Sequence, residues 1–209
     1  MRNTLESREW AEIPATFRSW PDYEDRAATI RAWVPSILHG LVQTEDYARA
    51  LIAAQPGVTP EVTSARLAAR AERQARVLNR ERPPSVWVII DQLSLYRQIG
   101  TPAVMAGQMR HLVETAAKPH VTITVMPAIA HAANASGFVL ADDAAWCEHM
   151  AAGGVYTDPQ IVTRLAQRFD SLRAESYRAS YSLAMIDRMA ELWSAGVSPL
   201  TQTATAATA

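Results

Sequence analysis

Hydrophobic and polar positions along this chain follow two periods, and the switches between them outline its elements. From about Tyr23 to Trp33, Ala27, Ile30, Val34 and Leu38 recur at a period near 3.6, which predicts a helix that Pro35 interrupts. A second helix is expected after Thr44, whose hydroxyl can cap it; Glu45 and Asp46 suit its N-terminus, and QPGVTP ends it. Thr59-Pro60-Glu61 opens a long helix that reaches about Glu81 and stops at Arg82-Pro83-Pro84. On its wheel Leu67, Ala71, Ala75 and Leu78 form the expected core face, with Arg66, Arg70, Arg73, Arg76 and Arg80 as a basic stripe opposite.

The period then shortens to two. VWVIID (86–91) and VTITVM (121–126) are β-branched runs separated by an expected helix from Pro102 to Ala117, a strand–helix–strand unit. GFVLADD and AAWCEH predict two more strands around an Asp142-Asp143 turn, and GGVYTDP leads back towards helix. Two helices follow, one through Ile161, Leu165, Phe169 and Leu172, the other through Leu183, Ile186, Met189 and Leu192 from a start at Ser182. Residues 194–209 offer no packing face and are expected to be a disordered tail. The sum is one domain over residues 1–193 of class α+β: a small, mostly antiparallel sheet flanked by helices, with helical hairpins at both ends.

Composition narrows the function classes. Hydrophobic residues make up 49% of the 209, enough for a proper core. The 20 Lys and Arg against 21 Asp and Glu leave no global excess to hold a polyanion. The single Cys147 cannot form an internal disulfide, the opening MRNTLESREWAEIP lacks a signal peptide's apolar core, and Val86 to Ile90 is far too short to cross a bilayer. A cytoplasmic location without a membrane role is expected.

No P-loop, dinucleotide-binding glycine pattern, nucleophile elbow or metal-ligand spacing of Cys and His occurs, so no cofactor and no metal are expected. His39, His111, His120, His131 and His149 are scattered. The strands are more informative, because alternate residues share a face. Trp87 then lies with Asp91, and Trp146 with Glu148, so two strands each pair an indole with a carboxylate. Such pairs suit a cationic or nitrogenous ligand, or they are tryptophans packed under helices with carboxylates at solvent-facing strand ends. His131 sits in PAIAHAANASG, the loop after the VTITVM strand, which is either a lid over a site or a plain connection. Candidate ligand-binding residues are Trp33, Gln43, Tyr47, Trp87, Tyr96, Phe138 and Trp146. The arginine stripe is expected to be solvated or salt-bridged, with a protein partner as its best use rather than DNA.

WPDYE (20–24), HGLVQTEDYARA (39–50), RAERQ (70–74), VWVIID (86–91), QMRHL (108–112), VTITVMP (121–127), SGFVL (136–140) and FDSLRAESY (169–177) follow one another in an order that resembles a known family. It is the uncharacterised C-terminal domain of actinobacterial Xre-type helix-turn-helix regulators. The resemblance implies an effector-like domain that senses a small molecule or a small partner protein. About twenty residues precede the first block, too few for a helix-turn-helix, so the DNA-reading part is expected to be missing. His39 stands where the family usually has proline and Asp91 where it usually has glutamate; Cys147 and His149 are also atypical.

Two functions follow as expectations. One is a stand-alone small-molecule-binding domain derived from a regulator, a homodimer through exposed apolar edges, without direct DNA binding. The other is a cofactor-free enzyme of specialised metabolism acting on a nitrogenous or iminium-type substrate in C–C bond formation or cyclisation. There Asp91 or Glu148 would be the base or counter-ion, His39 or His131 the proton shuttle, and Trp87 and Trp146 the cation-stabilising walls.

Overall fold

The computed structural model describes residues 17–128, 136–148 and 153–196. In chain order these form α1 (Trp20–Arg26), β1 (Thr29–Val34), a 3-10 turn (Gly40–Val42), α2 (Glu45–Ala53), α3 (Pro60–Leu78), β2 (Ser85–Asp91), α4 (Gln92–Tyr96) and α5 (Pro102–Ala116). They continue with β3 (Val121–Met126), β4 (Phe138–Ala141), β5 (Ala144–Cys147), β6 (Gly154–Tyr156), α6 (Pro159–Glu175) and α7 (Ala179–Ser194).

The six strands form a single sheet in the order β3-β2-β1-β4-β5-β6, so the class is α+β. The sheet is mixed rather than mostly antiparallel. β3, β2 and β1 run parallel, joined by crossovers through α5 and through α2 and α3, while β4, β5 and β6 are antiparallel additions on the other side of β1. The GVY segment thus adds a sixth strand.

The largest departure from the sequence reading is β1. Thr29–Val34, expected as the end of a helix, is the inner strand on which both halves of the sheet meet. Its Ile30 and Ala32 face one core and Trp33 the other. A strand buried on both faces carries apolar residues without clean alternation, and over so few residues that pattern also fits a helical period.

Helices cover both faces. The larger core joins Ile30, Val88 and Val125 of the sheet to Trp20 of α1, Val77 of α3, Met109 of α5 and Trp193 of α7. On the opposite face, among the described residues, α6 lays Val162, Phe169 and Leu172 over Trp33, Ile89, Phe138 and Leu140. The two C-terminal helices therefore join opposite layers of the sheet instead of forming a hairpin. α7 begins at Ala179, three residues before the expected start. Ser182 is wholly buried, and its hydroxyl accepts the Val125 N–H at 3.0 Å while the Tyr177 N–H donates to the Val125 carbonyl at 2.9 Å. The α6–α7 joint so occupies backbone groups that edge strand β3 would otherwise leave unpaired. The expected boundary at residue 194 falls at the end of α7; 197–209 lie outside the described residues.

Candidate functional site

The polar run HGLVQT, between β1 and α2, is irregular backbone inside the protein, and its groups need partners that no ladder supplies. Side chains provide them. Tyr47 Oη accepts the Leu38 N–H at 3.3 Å, and Gln43 Nε2 donates to the Leu38 carbonyl at 2.6 Å. Gln74 Nε2 donates to the carbonyls of Gly40 (2.7 Å) and Gln43 (2.8 Å). Gln108 takes the Thr44 N–H at 2.7 Å and gives its own to the Val42 carbonyl at 2.8 Å. Thr44 Oγ1 in turn caps α2 by accepting from the Tyr47 N–H. The loop is thereby held as firmly as a regular element.

The arginine stripe of α3 turns inward. Ala71 and Ala75, expected in the core, are exposed, while Val77 and Thr63 on the arginine side are buried. Arg73 meets the buried Glu24 of α1 at two points, 2.5 and 2.7 Å. Arg76 pairs with Asp25, and Arg80 donates to the carbonyls of Asp25 and Ala27. Arg70 Nη1 donates to Gln43 Oε1, and Arg66 Nη1 to Gln55 Oε1 at 2.8 Å. Alanines are small enough to leave the outer arc at solvent, and the long guanidinium stems satisfy carbonyls and carboxylates of α1 and the HGLVQT loop.

Between this helix face and the sheet lies a cavity of about 290 Å³. Its polar side holds His39, Gln43, Arg66, Arg70, Arg73 and Glu148. Its apolar side is an aromatic corner: Trp146 of β5 meets Phe17 edge-on at 4.9 Å and lies 6.5 Å from Trp20. Glycines let these groups close in. A Cβ on Gly40 would lie 3.2 Å from Arg73 Nη1, and one on Gly153 only 2.1 Å from Trp146 Cζ2.

The electrostatics favour negative charge. Among the described residues three guanidinium groups line the cavity against one carboxylate, Glu148, and Glu24 lies behind Arg73 as its ion-pair partner. Among the described residues no carboxylate lies within ion-pair distance of Arg70. Burial, and then the charge of Arg73, lower the pKa of Arg70 to about 10, with Glu148 acting the other way. His39 is held well below its ordinary value, first by burial and then by Arg73 and Arg70, so the imidazole is neutral. Its Nδ1 accepts the Leu41 N–H at 3.4 Å. A backbone N–H only donates, so the ring proton sits on Nε2, which has no hydrogen-bond partner among the described residues. The indole N–H of the fully buried Trp20 likewise finds no acceptor among them. The cavity thus presents donors.

Of the residues singled out in the sequence, His39, Gln43, Phe138, Trp146 and Glu148 line this cavity. Tyr47 supports it from behind through Leu38. Trp33 and Trp87 lie on the opposite face of the sheet, so the two indole–carboxylate pairs cannot share one site. Trp87 already has a cation, the Arg173 guanidinium 5.1 Å from its ring centre. Asp91 caps α4, accepting the Leu93 N–H at 2.7 Å, and Tyr96 packs against the larger core outside the cavity. His131 and His149 lie outside the described residues. Sequence reasoning missed the cavity role of Arg66, Arg70 and Arg73, although Val77 and Thr63 on their side of the helix signalled a buried arc.

Among the described residues no three His, Cys, Asp or Glu side chains gather closely enough to hold a metal ion, and no helix is long and apolar enough to cross a membrane. No curated protein and no solved structure matches the chain. A family model does match, over residues 17–188, and that span takes in the clamped loop, the inward arginines and the aromatic corner together. The chain belongs to the family described as Domain of unknown function (DUF5753).

Proposed function

We propose that this chain is a small-molecule-binding domain, related to the effector domains of actinobacterial Xre-type regulators, with its ligand in the Arg70–Trp146 cavity. The observation that carries this is a cavity lined by polar groups left without a matching protein partner among the described residues: a guanidinium without an ion-paired carboxylate and an imidazole N–H. Donors on a cavity wall are only partly hydrated, and a ligand that accepts from them completes their hydrogen bonding. The stripe that would have served DNA is turned towards α1 and the HGLVQT loop, which supports a role without direct DNA contact.

The catalytic alternative has one supporting observation, that His39 and Glu148 line one cavity. It is the weaker reading, because His39 turns a proton, not a lone pair, to the cavity, which among the described lining residues leaves Glu148 as the one base. The test is a ligand-detected NMR screen of a fragment library containing acids, amines and neutral flat aromatics, run on wild type and on Ala69→Phe. Ala69 lines the cavity, and its phenylalanine would fill it. Hits lost in a folded Ala69→Phe support the proposal; hits that persist there, or no hits, overturn it.

A further inference from the structure

We infer that the cavity selects a flat aromatic or conjugated monocarboxylate, its carboxylate on Arg70 and the His39 N–H, and its ring against Trp146. This deepens the binding proposal and rests on it.

Charge sets the sign of the ligand. Arg73 is neutralised by its two-point contact with Glu24, whereas Arg70 has only the neutral Gln43 oxygen as a hydrogen-bond partner among the described residues. A carboxylate is the complement of a guanidinium fork. The Arg70 guanidinium, without an ion-paired carboxylate among the described residues, matches a monoanion; a phosphate dianion would meet Glu148 with twice the repulsion.

Hydrogen bonding points the same way. His39 Nε2–H offers a neutral donor at a cavity where, among the described residues, Glu148 is the only charged acceptor in the lining. An ammonium ligand would add donors to donors and face the guanidinium groups of Arg66, Arg70 and Arg73. The indole–carboxylate pair of Trp146 and Glu148, which in sequence suited a cation, is therefore reversed by arginines contributed from another element.

Shape sets the rest. Phe17 and Trp20 pack on the Trp146 indole, and Gly153 lies so close that no Cβ fits between, which fixes the ring plane. With Leu38, Ile52 and Val139 also lining it, a cavity of about 290 Å³ suits one or two fused rings.

The test uses three probes on one skeleton, 2-naphthoate, 2-naphthamide and 2-naphthylmethylamine, titrated by calorimetry at pH 7.5 into the full chain. The acid is expected to bind at least tenfold more tightly than the amide, and the amine not to bind. Arg70→Met is expected to abolish the acid preference, Arg70→Lys to keep part of it, and Glu148→Gln to tighten the acid severalfold. Circular dichroism shows which variants fold, and Glu148→Gln still decides should both Arg70 variants fail. The amine binding as tightly as the acid, or an acid affinity unmoved in every folded variant, overturns the inference. Should none of the three bind while other fragments are lost in Ala69→Phe, the inference falls and the binding proposal stands; should no fragment bind at all, both fall.

Discussion

Arg73 and Glu24 grip each other at two points, Nε to Oε2 at 2.5 Å and Nη2 to Oε1 at 2.7 Å, with the carboxylate fully shielded from solvent. The pair ties α1 to α3 across the edge of the cavity and holds Arg73 over the Phe17 ring, 5.1 Å from its centre. Removing one partner strands the other charge in a poorly solvated place. Glu24→Gln is expected to cost about 3 kcal/mol of folding stability, and Glu24→Leu with Arg73→Leu together to cost less than either single change. Urea unfolding of wild type, Glu24→Gln, the two leucine single variants and their double variant checks this; a single-variant loss below about 1 kcal/mol would contradict it.

Gly153 and Gly40 are expected to respond differently to alanine. The new Cβ at position 153 would overlap the Trp146 ring, which Phe17 and Trp20 keep from moving aside, whereas at position 40 it meets the end of a flexible guanidinium. Gly153→Ala should therefore cost about 1–3 kcal/mol and alter the near-ultraviolet dichroism of the tryptophans, with Gly40→Ala well below it. Equal melting temperatures for the two variants would show that the indole is not so confined.

His39 makes stability depend on pH. Its folded value lies well below the unfolded value of about 6.5, because burial and two guanidinium groups disfavour the imidazolium. As the pH falls below about 6.5 the unfolded chain takes up a proton that the folded chain does not, so stability present above that pH is progressively lost. His39→Gln, which keeps an acceptor for the Leu41 N–H, removes this contribution. Relative to the variant, wild type is expected to lose stability between pH 7.5 and pH 5, as read by denaturant unfolding at both; parallel behaviour would place the imidazole at solvent.

Asp91 ends β2 and caps α4, on no wall of the cavity. Asp91→Ala should cost about 1 kcal/mol, the worth of a helix cap, and leave the affinity of any cavity ligand within twofold. A tenfold loss of affinity would return Asp91 to the site.

The elements that could be read from the chain are those whose causes are local. Thr44, Thr59, Thr101 and Asp158 each cap the helix that follows by accepting a backbone N–H, and prolines at the starts of α3, α5 and α6 mark three of those ends. The β4–β5 turn was equally legible, since Asp142 takes the left-handed backbone conformation that Asp tolerates in a tight turn. β1 was not, because its pairing partners begin at Ser85 and Phe138, and nothing within six residues records them.

What the sequence determined by itself is the class of the fold, the ends of most helices, the β2–α5–β3 unit and the polar character of the HGLVQT loop, all set by propensity, capping and periodicity over neighbouring residues. What only the tertiary structure decided is which polar groups meet. Glu24, His39, Arg70, Trp146 and Glu148 come from four separate stretches, and the same arginines would be a solvated stripe if α3 were turned half a revolution. That rotation depends on whether burying Val77 and pairing Arg73 with Glu24 outweighs burying Ala71 and Ala75, a balance of long-range contacts that no window along the chain contains.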